Sequence, residues 1–385
     1  VTPPSLDSTQ LDPPEPPRAP PTTRSARLLG CPQPLAAAYD VALLDLDGVL
    51  YLGPDPVPTA ADALAAARGL GMRLAYVTNN ASRSPAQVAE RLCNQGVPAQ
   101  AADVVTSAQA AARVLHERLP PGAAVLVVGT DALRREVAAV GLSVVGSADP
   151  QPAAVVQGYD PATTYAALAE ATVAVRRGAL WVGSNADPTV PSPRGLLPGN
   201  GALIAVVATG SGRQPVIAGK PEVALHAESV DRTGAQHPLV VGDRLDTDIR
   251  GAVRGGSASL LVLTGVTGPA ELLSAHPVER PDYLARDLTG LLAAHLAVEP
   301  TRAGAGWRVE RGGWEALAED GVLSLRRSGS AQERPDGSVD ALRVVCVAAW
   351  AAADAGAPVH RVEPDATGAQ ALSGLGAPAF PGNLG

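Results

Sequence analysis

The chain has 385 residues, 46% of them hydrophobic, which is more than one ordinary domain core accommodates and predicts two or more domains. A net charge of −8 with no run of Lys or Arg excludes the electrostatic footprint of a nucleic-acid or anionic-lipid binder and favours small-molecule chemistry. Apolar stretches such as 203–208 and 260–263 fall far short of the roughly 18–20 residues a membrane helix requires. The start of the sequence lacks the basic and apolar regions of a signal peptide. Cys31, Cys93 and Cys346 are odd in number and fit neither a zinc spacing nor a disulfide framework, so a reducing cytoplasm is expected.

Residues 1–34, rich in Pro, Ser and Thr, cannot bury enough apolar surface to offset ordering entropy and read as a disordered tail. The apolar run 41–44, followed by Asp and Gly, predicts a buried parallel strand ending in a loop. An Ala-rich helix is expected from about Thr59 to Leu70 and a strand over 73–77. Ser84-Pro85-Ala86-Gln87 reads as a capping box with Pro at the first helical position, and Gly96 closes that helix. Strands at 123–128, 153–157, 180–182, 216–217, 239–241 and 260–263, with helices at about 131–140 and 164–177, continue the alternation. Such alternation predicts an α/β fold with parallel sheets covered on both faces. After about Ala297 the text turns Arg- and Gly-rich, with Trp307, Trp314 and a helix-like stretch at 342–353, as in a small appended module.

Asp45-Leu46-Asp47-Gly48 puts two carboxylates at the end of the first strand, where open α/β sheets hold ligands, and side chains at i and i+2 leave a strand on one side. Taken alone, the pair reads equally as a polar strand exit with a turn cap. Three further strand ends tilt the balance. The strand over 73–77 runs into Thr78-Asn79-Asn80, a hydroxyl and N–H groups suited to phosphate oxygens, though the same residues could simply lead to the Ser84 cap. Lys220, in Ala218-Gly219-Lys220-Pro221, is the only lysine among 30 basic residues, which points to a place wanting a compact ammonium rather than a guanidinium. Gly242-Asp243-Arg244-Leu245-Asp246-Thr247-Asp248 holds three acids within six residues, and an acidic helix start accounts for Asp246 or Asp248 but not for Asp243.

In this order, DLDGVL, TNN, GKP and GDRLDTD resemble the four motifs of the haloacid dehalogenase superfamily. Between the second and third motifs, Val105-Thr106-Ser107, Val128-Gly129, Ser184-Asn185-Ala186-Asp187-Pro188 and Pro198-Gly199-Asn200-Gly201 are similar to the C2 cap of NagD-like phosphatases, and the Leu263–Thr267 segment is similar to the same subfamily. The resemblance covers about residues 38–295. It implies a Rossmann-like parallel-sheet core over 35–103 and 204–297, an inserted α/β C2 cap over 104–203, and a C-terminal module over 298–385.

Carried over by position, it implies Asp45 as nucleophile and metal ligand, and Asp47 as general acid and base whose carbonyl oxygen also meets the metal. Thr78, the Asn79 amide and Gly48 would hold the phosphoryl group. Lys220 would neutralise nucleophile and phosphate, Asp243 would ligate Mg2+, and Asp248 would support the metal from nearby. Hard oxygen ligands suit magnesium, and attack by Asp45 would pass through an aspartyl phosphate. The cap would read the leaving group, and Asn185, Asp187 and Arg194 are its candidate contacts, although Asn, Asp and Pro also build loops.

Pyridoxal phosphate phosphatases of this subfamily tend to carry an aromatic–His pair just after the equivalent acid, where this chain has Thr189-Val190. Actinobacterial relatives with a C-terminal extension resemble glycerol-3-phosphate phosphatases, which points to glycerol 3-phosphate and to glycerol and phospholipid metabolism. Phosphoglycolate, pyridoxal phosphate and nucleoside monophosphates are the alternative esters. A phosphotransferase or mutase is disfavoured by the large cap, and a non-catalytic phosphometabolite sensor by four undamaged motifs. Some relatives carry an acetyltransferase-like fold at the C-terminus, but no RxxGxG/A-type loop for a CoA pyrophosphate occurs here, so a packing or partner-binding module is expected. A homo-oligomer formed through the cap is the remaining expectation from the subfamily.

Overall fold

In the computed structural model, which describes residues 24–192, 194–328 and 337–375, the apolar run Val41–Leu44 is fully buried in the middle of a six-stranded sheet. The spatial order is Tyr283–Ala285, Ala258–Val262, Pro238–Gly242, Val41–Leu44, Arg73–Thr78 and Val104–Thr106, and every pairing is parallel. From the central strand the chain moves to one side, through Arg73–Thr78 and Val104–Thr106, and later returns to lay Pro238–Gly242 on the other side. That reversal opens a crevice at the carboxyl ends of the three middle strands. Leu44 pairs with Tyr76 and with Val241, so Asp45, Thr78 and Asp243 emerge along one edge. The predicted capping box is present, with Ser84 Oγ accepting from Gln87 N and Gln87 Oε1 accepting from Ser84 N, and it starts the Pro85–Asn94 helix.

A second parallel sheet runs in the order Val216–Ile217, Leu180–Gly183, Ala154–Gln157, Ala124–Val128, Ser143–Val145. Helices Tyr165–Arg176 and Asn200–Ser211 pack on one another beside it. Helix Ser107–Arg118 lies between this sheet and the Val223–Thr233 helix of the core. Its buried residues join Val41, Leu43 and Val77 of the core to Val125, Val127, Val156 and Val182 of the cap in one hydrophobic cluster. This helix buries eight of its residues, around most of its circumference, so no amphipathic stripe marks it in the sequence.

Two expected boundaries are corrected. The return from cap to core falls after Ile217 rather than after 203, because Asn200–Ser211 packs on a cap helix and Val216–Ile217 completes the cap sheet. Likewise Val104–Thr106 belongs to the core as its edge strand. The expected disordered tail also ends earlier than 34. Cys31–Pro34 pairs with Ala294–His295, buried Leu28 bridges to Val298, and Arg24 meets Asp282 at 2.8 Å. Residues 1–23 of that expectation lie outside the described residues.

The C-terminal module is an antiparallel meander of Thr301–Ala303, Gly306–Arg311, Trp314–Glu319 and Val322–Arg327, with Arg361–Pro364 parallel to the last strand. Helix Gly337–Asp354 is buried along most of its length. It packs on this sheet and also on helix Pro269–Leu273 and strand Tyr283–Ala285 of the core. One cluster therefore contains Leu245, Ile249, Leu261, Leu272 and Leu284 together with Leu342, Val345, Trp314 and Trp350. Polar contacts pin the seam: Trp350 Nε1 donates to the Leu272 carbonyl at 2.9 Å, and Arg280, 1% exposed, donates to both Asp354 oxygens at 2.7 and 2.8 Å. Among the described residues no helix is long and apolar enough to cross a membrane.

Because Trp350 is fully buried across this seam, Trp350→Ala should destabilise the chain by about 3–5 kcal/mol. Urea unfolding checks this, and a loss under about 1 kcal/mol would show that module and core are not one cooperative unit.

Candidate active site

The three middle strands deliver their terminal residues to one pocket of charge. Lys220 Nζ donates to Asp45 Oδ1 at 2.6 Å, to Asp248 Oδ1 at 2.9 Å and to the Val77 carbonyl at 3.0 Å, which uses all three ammonium protons. Burial works against this ammonium, but Asp248 and Asp45 outweigh it and raise Lys220, so it stays charged. Burial raises the Asp45 carboxyl well above the usual carboxylate range; Lys220 pulls it down, while Asp248 and Asp243 push it further up. No described residue donates to Asp45 Oδ2.

Asp243 is fully buried, and its two oxygens fare differently. Oδ2 accepts from Val266 N at 2.7 Å, whereas Oδ1 has no hydrogen-bond partner among the described residues. Burial, and then Asp248, raise this carboxyl, against the Val266 amide, Lys220 and Arg244. The chain leaves it room only by omitting side chains. A Cβ on Gly265 would stand 1.9 Å from Asp243 Oδ2, and one on Gly48, which also has φ +86°, would stand 2.3 Å away.

Asp45, Asp243 and Asp248 bring ligand oxygens within 4.8 Å of one another. With one ammonium among three carboxylates, the ionised cluster carries a charge of −2. An orphaned carboxylate oxygen, hard donors and this excess charge fit a divalent cation. Asp248 is the poorest candidate for direct ligation, because its oxygens already accept from Lys220 Nζ and Arg244 N. Its loop, Leu245–Ile249, is a single π-helical turn, a geometry frequent at functional sites.

Asp47, two residues after Asp45, is exposed. Enough protein surrounds it that desolvation raises its carboxyl, with Arg91, Arg83 and Lys220 pulling the other way. Thr78 is buried and its Oγ1 accepts from Asn80 N at 3.1 Å, which leaves the hydroxyl proton to give. Gly48, expected at the phosphoryl group, has its N–H on Tyr51 O at 2.8 Å and leaves space for Asp243.

The cap candidates separate. Asn185 Nδ2 donates to the Asn79 carbonyl at 2.7 Å, and Asp187 Oδ2 accepts from Asn79 Nδ2 at 3.4 Å, so both reach the loop that follows strand Arg73–Thr78. Arg194 does not join them; it is exposed in the turn between Thr189–Ser192 and Gly195–Pro198, its amide donating to Ser192 Oγ. Sequence reasoning gave no site role to Arg83, Arg91, Gly265, Ser107 or Asn200, although the last three lie in segments that it singled out. Arg91 lies over the Tyr51 ring at 3.9 Å and donates to the Gly53 carbonyl, contacts that no local spacing announces. Since a methyl group on Gly265 has nowhere to go but into Asp243, Gly265→Ala should weaken divalent-cation affinity roughly 10–100-fold with the fold retained. Calorimetric titration with the metal reads this, and unchanged affinity would remove Asp243 from the cation site.

Comparison with known proteins agrees with this geometry. A haloacid dehalogenase-like hydrolase model matches residues 42–143, a second HAD-hydrolase-like model matches 217–291, and a GCN5-related N-acetyltransferase-like domain model matches 311–377. The chain is 45% identical over 322 residues to D-glycerol 3-phosphate phosphatase of Mycobacterium tuberculosis, covering 83% of this chain and 88% of that protein. It is 37% identical to an acid sugar phosphatase of Staphylococcus epidermidis, over 66% of this chain and 97% of that one. The crystal structure of the glycerol phosphate phosphatase of M. tuberculosis in complex with magnesium superposes with a TM-score of 0.80 at 43% identity, covering 89% of this chain and 99% of that one. With that identity running across cap, core and C-terminal module, the chain belongs to the haloacid dehalogenase-like hydrolases.

Proposed function

We propose that this chain is a magnesium-dependent phosphoric monoester hydrolase whose substrate is glycerol 3-phosphate, working through a phosphorylated Asp45. The observation that carries the reading is the buried cluster in which Lys220 bonds Asp45 and Asp248 opposite the half-satisfied Asp243. The mycobacterial relative, by its name and its magnesium complex, supports both substrate and metal. Three free cysteines, two of them buried, suit a reducing cytoplasm.

Asp45, Asp243 and the Asp47 main-chain carbonyl would hold the magnesium, with Asp248 bracing them through Lys220 and Arg244 N. When bound, the ion supplies the positive charge that lets a carboxylate approach a phosphate dianion. Thr78 Oγ1 and the Asn79 main-chain N–H would orient the phosphoryl oxygens, and Lys220 adds fixed charge at the nucleophile. An Asp45 carboxylate oxygen forms a bond to phosphorus as the ester O–P bond breaks. Asp47, with its raised carboxyl, gives its proton to the departing alkoxide. Asp47 then takes a proton from a water molecule that attacks phosphorus, breaking the bond to Asp45 and releasing inorganic phosphate.

Asp45→Asn should abolish turnover and phosphoenzyme trapping while circular dichroism stays native; retained turnover rejects the mechanism. In a panel of esters, kcat/KM for glycerol 3-phosphate should exceed that for phosphoglycolate, pyridoxal phosphate and nucleoside monophosphates by about tenfold or more. Weak turnover of glycerol 3-phosphate would reject the substrate. Phosphate release without an added acceptor separates hydrolysis from phosphoryl transfer.

A further inference from the structure

Asn79 has its side chain on Lys220, not in the cleft. Lys220 N donates to Asn79 Oδ1 at 2.8 Å, and Asn79 Nδ2 donates to the Lys220 carbonyl at 3.3 Å, so one amide grips both backbone groups of the lysine. The approach is close enough that a Cβ on Gly219 would stand 2.6 Å from Asn79 Oδ1 and from the Ser184 carbonyl. Asn79 is gripped in turn: its carbonyl accepts from Asn185 Nδ2 at 2.7 Å and from Ser107 Oγ at 2.6 Å. Asn185 is held from inside the cap, where Asn200 Nδ2 donates to its carbonyl at 2.7 Å and to the Gln157 carbonyl at 3.3 Å. Asn200 and Asn185 are 1% and 4% exposed, so neither amide has water to fall back on.

The links join the places where cap meets core. Ser107 opens the helix that enters the cap, Asn185 follows the cap strand Leu180–Gly183, Asn200 starts the last cap helix, and Lys220 follows the strand that returns to the core. We infer that Asn200 and Asn185 are positioning residues for Lys220, acting in series through Asn79, so that the seating of the cap sets where the ammonium stands against Asp45. This rests on the role given to Lys220 above. A lysine displaced by a few tenths of an ångström still binds a phosphate ester but serves the developing charge less well, so the loss belongs to kcat.

The test compares glycerol 3-phosphate with p-nitrophenyl phosphate in the full-length, magnesium-loaded chain. Asn200→Ala and the isosteric Asn185→Asp, which keeps the acceptor for Asp187 N but loses the donor to Asn79 O, should each lower kcat about 10–100-fold. The factor should be the same for both esters, with KM within about threefold of wild type. Asn185→Asp combined with Asn79→Ala should cost no more than Asn79→Ala alone, as for residues in series. If Asn200→Ala fails to fold, Ser107→Ala, which removes the other donor on the same carbonyl, replaces it with the same expectation. Unchanged kcat, a loss in KM alone, a factor that differs between the esters, or full additivity would each overturn the inference. A wild-type chain that hydrolyses neither ester overturns the functional reading instead.

Discussion

The structure depends on one ammonium placed among three carboxylates. The Lys220 side chain is 11% exposed and Asp243 and Asp248 are buried, in a region where unpaired charge costs several kcal/mol per ion. Such a cluster persists only if every neighbour is fixed. The parallel sheet supplies that rigidity, because Asp45, the Val77 carbonyl and Asp243 come from adjacent strands in fixed register. Glycine at positions 48 and 265 supplies the room. The excess negative charge left over is what makes the site a cation site and, once loaded, a place where a phosphate dianion is welcome.

Cap and C-terminal module bear on this centre in different ways. The cap shares a hydrophobic cluster with the core through helix Ser107–Arg118 and meets the Asn79 loop by hydrogen bonds that Asn185 and Ser107 donate and Asp187 accepts. The module meets the opposite flank, through Trp350, Arg280 and a helix whose buried face serves packing. Its match to an acetyltransferase-like domain describes a fold, and the described part of that fold is spent on bracing the strands that carry Leu261 and Leu284. The acid sugar phosphatase relative matches over 97% of its own length while covering 66% of this chain.

Much of the fold was legible because the strands are short apolar runs that end abruptly in Asp, Thr or Gly, and buried parallel strands leave that signature. The boundaries were less legible. Nothing local in Val216–Ile217 says that it completes the cap sheet, and nothing in Cys31–Pro34 says that it finds Ala294–His295. Helix Ser107–Arg118 hid for a different reason: most of what it buries is Ala, Ser107 and Gln109 rather than large apolar residues.

By itself the sequence determined the chemistry. Two aspartates two residues apart, one lysine in an arginine-rich chain and an acidic third strand end can be read as residue types at strand ends, and they are the groups that phosphoryl transfer to a carboxylate demands. Tertiary structure decided how they are held. That Asn79 grips Lys220, that Asn185 steadies Asn79 and that Arg194 stands apart are relations between segments more than a hundred residues apart in the first two cases and a matter of hairpin direction in the third. Such relations follow from how two sheets pack through a shared helix, and no local pattern encodes that packing. The opening pair, Asp45 and Asp47, thus owes its identity to sequence and its setting to the fold: one lies against the Lys220 ammonium, the other is exposed.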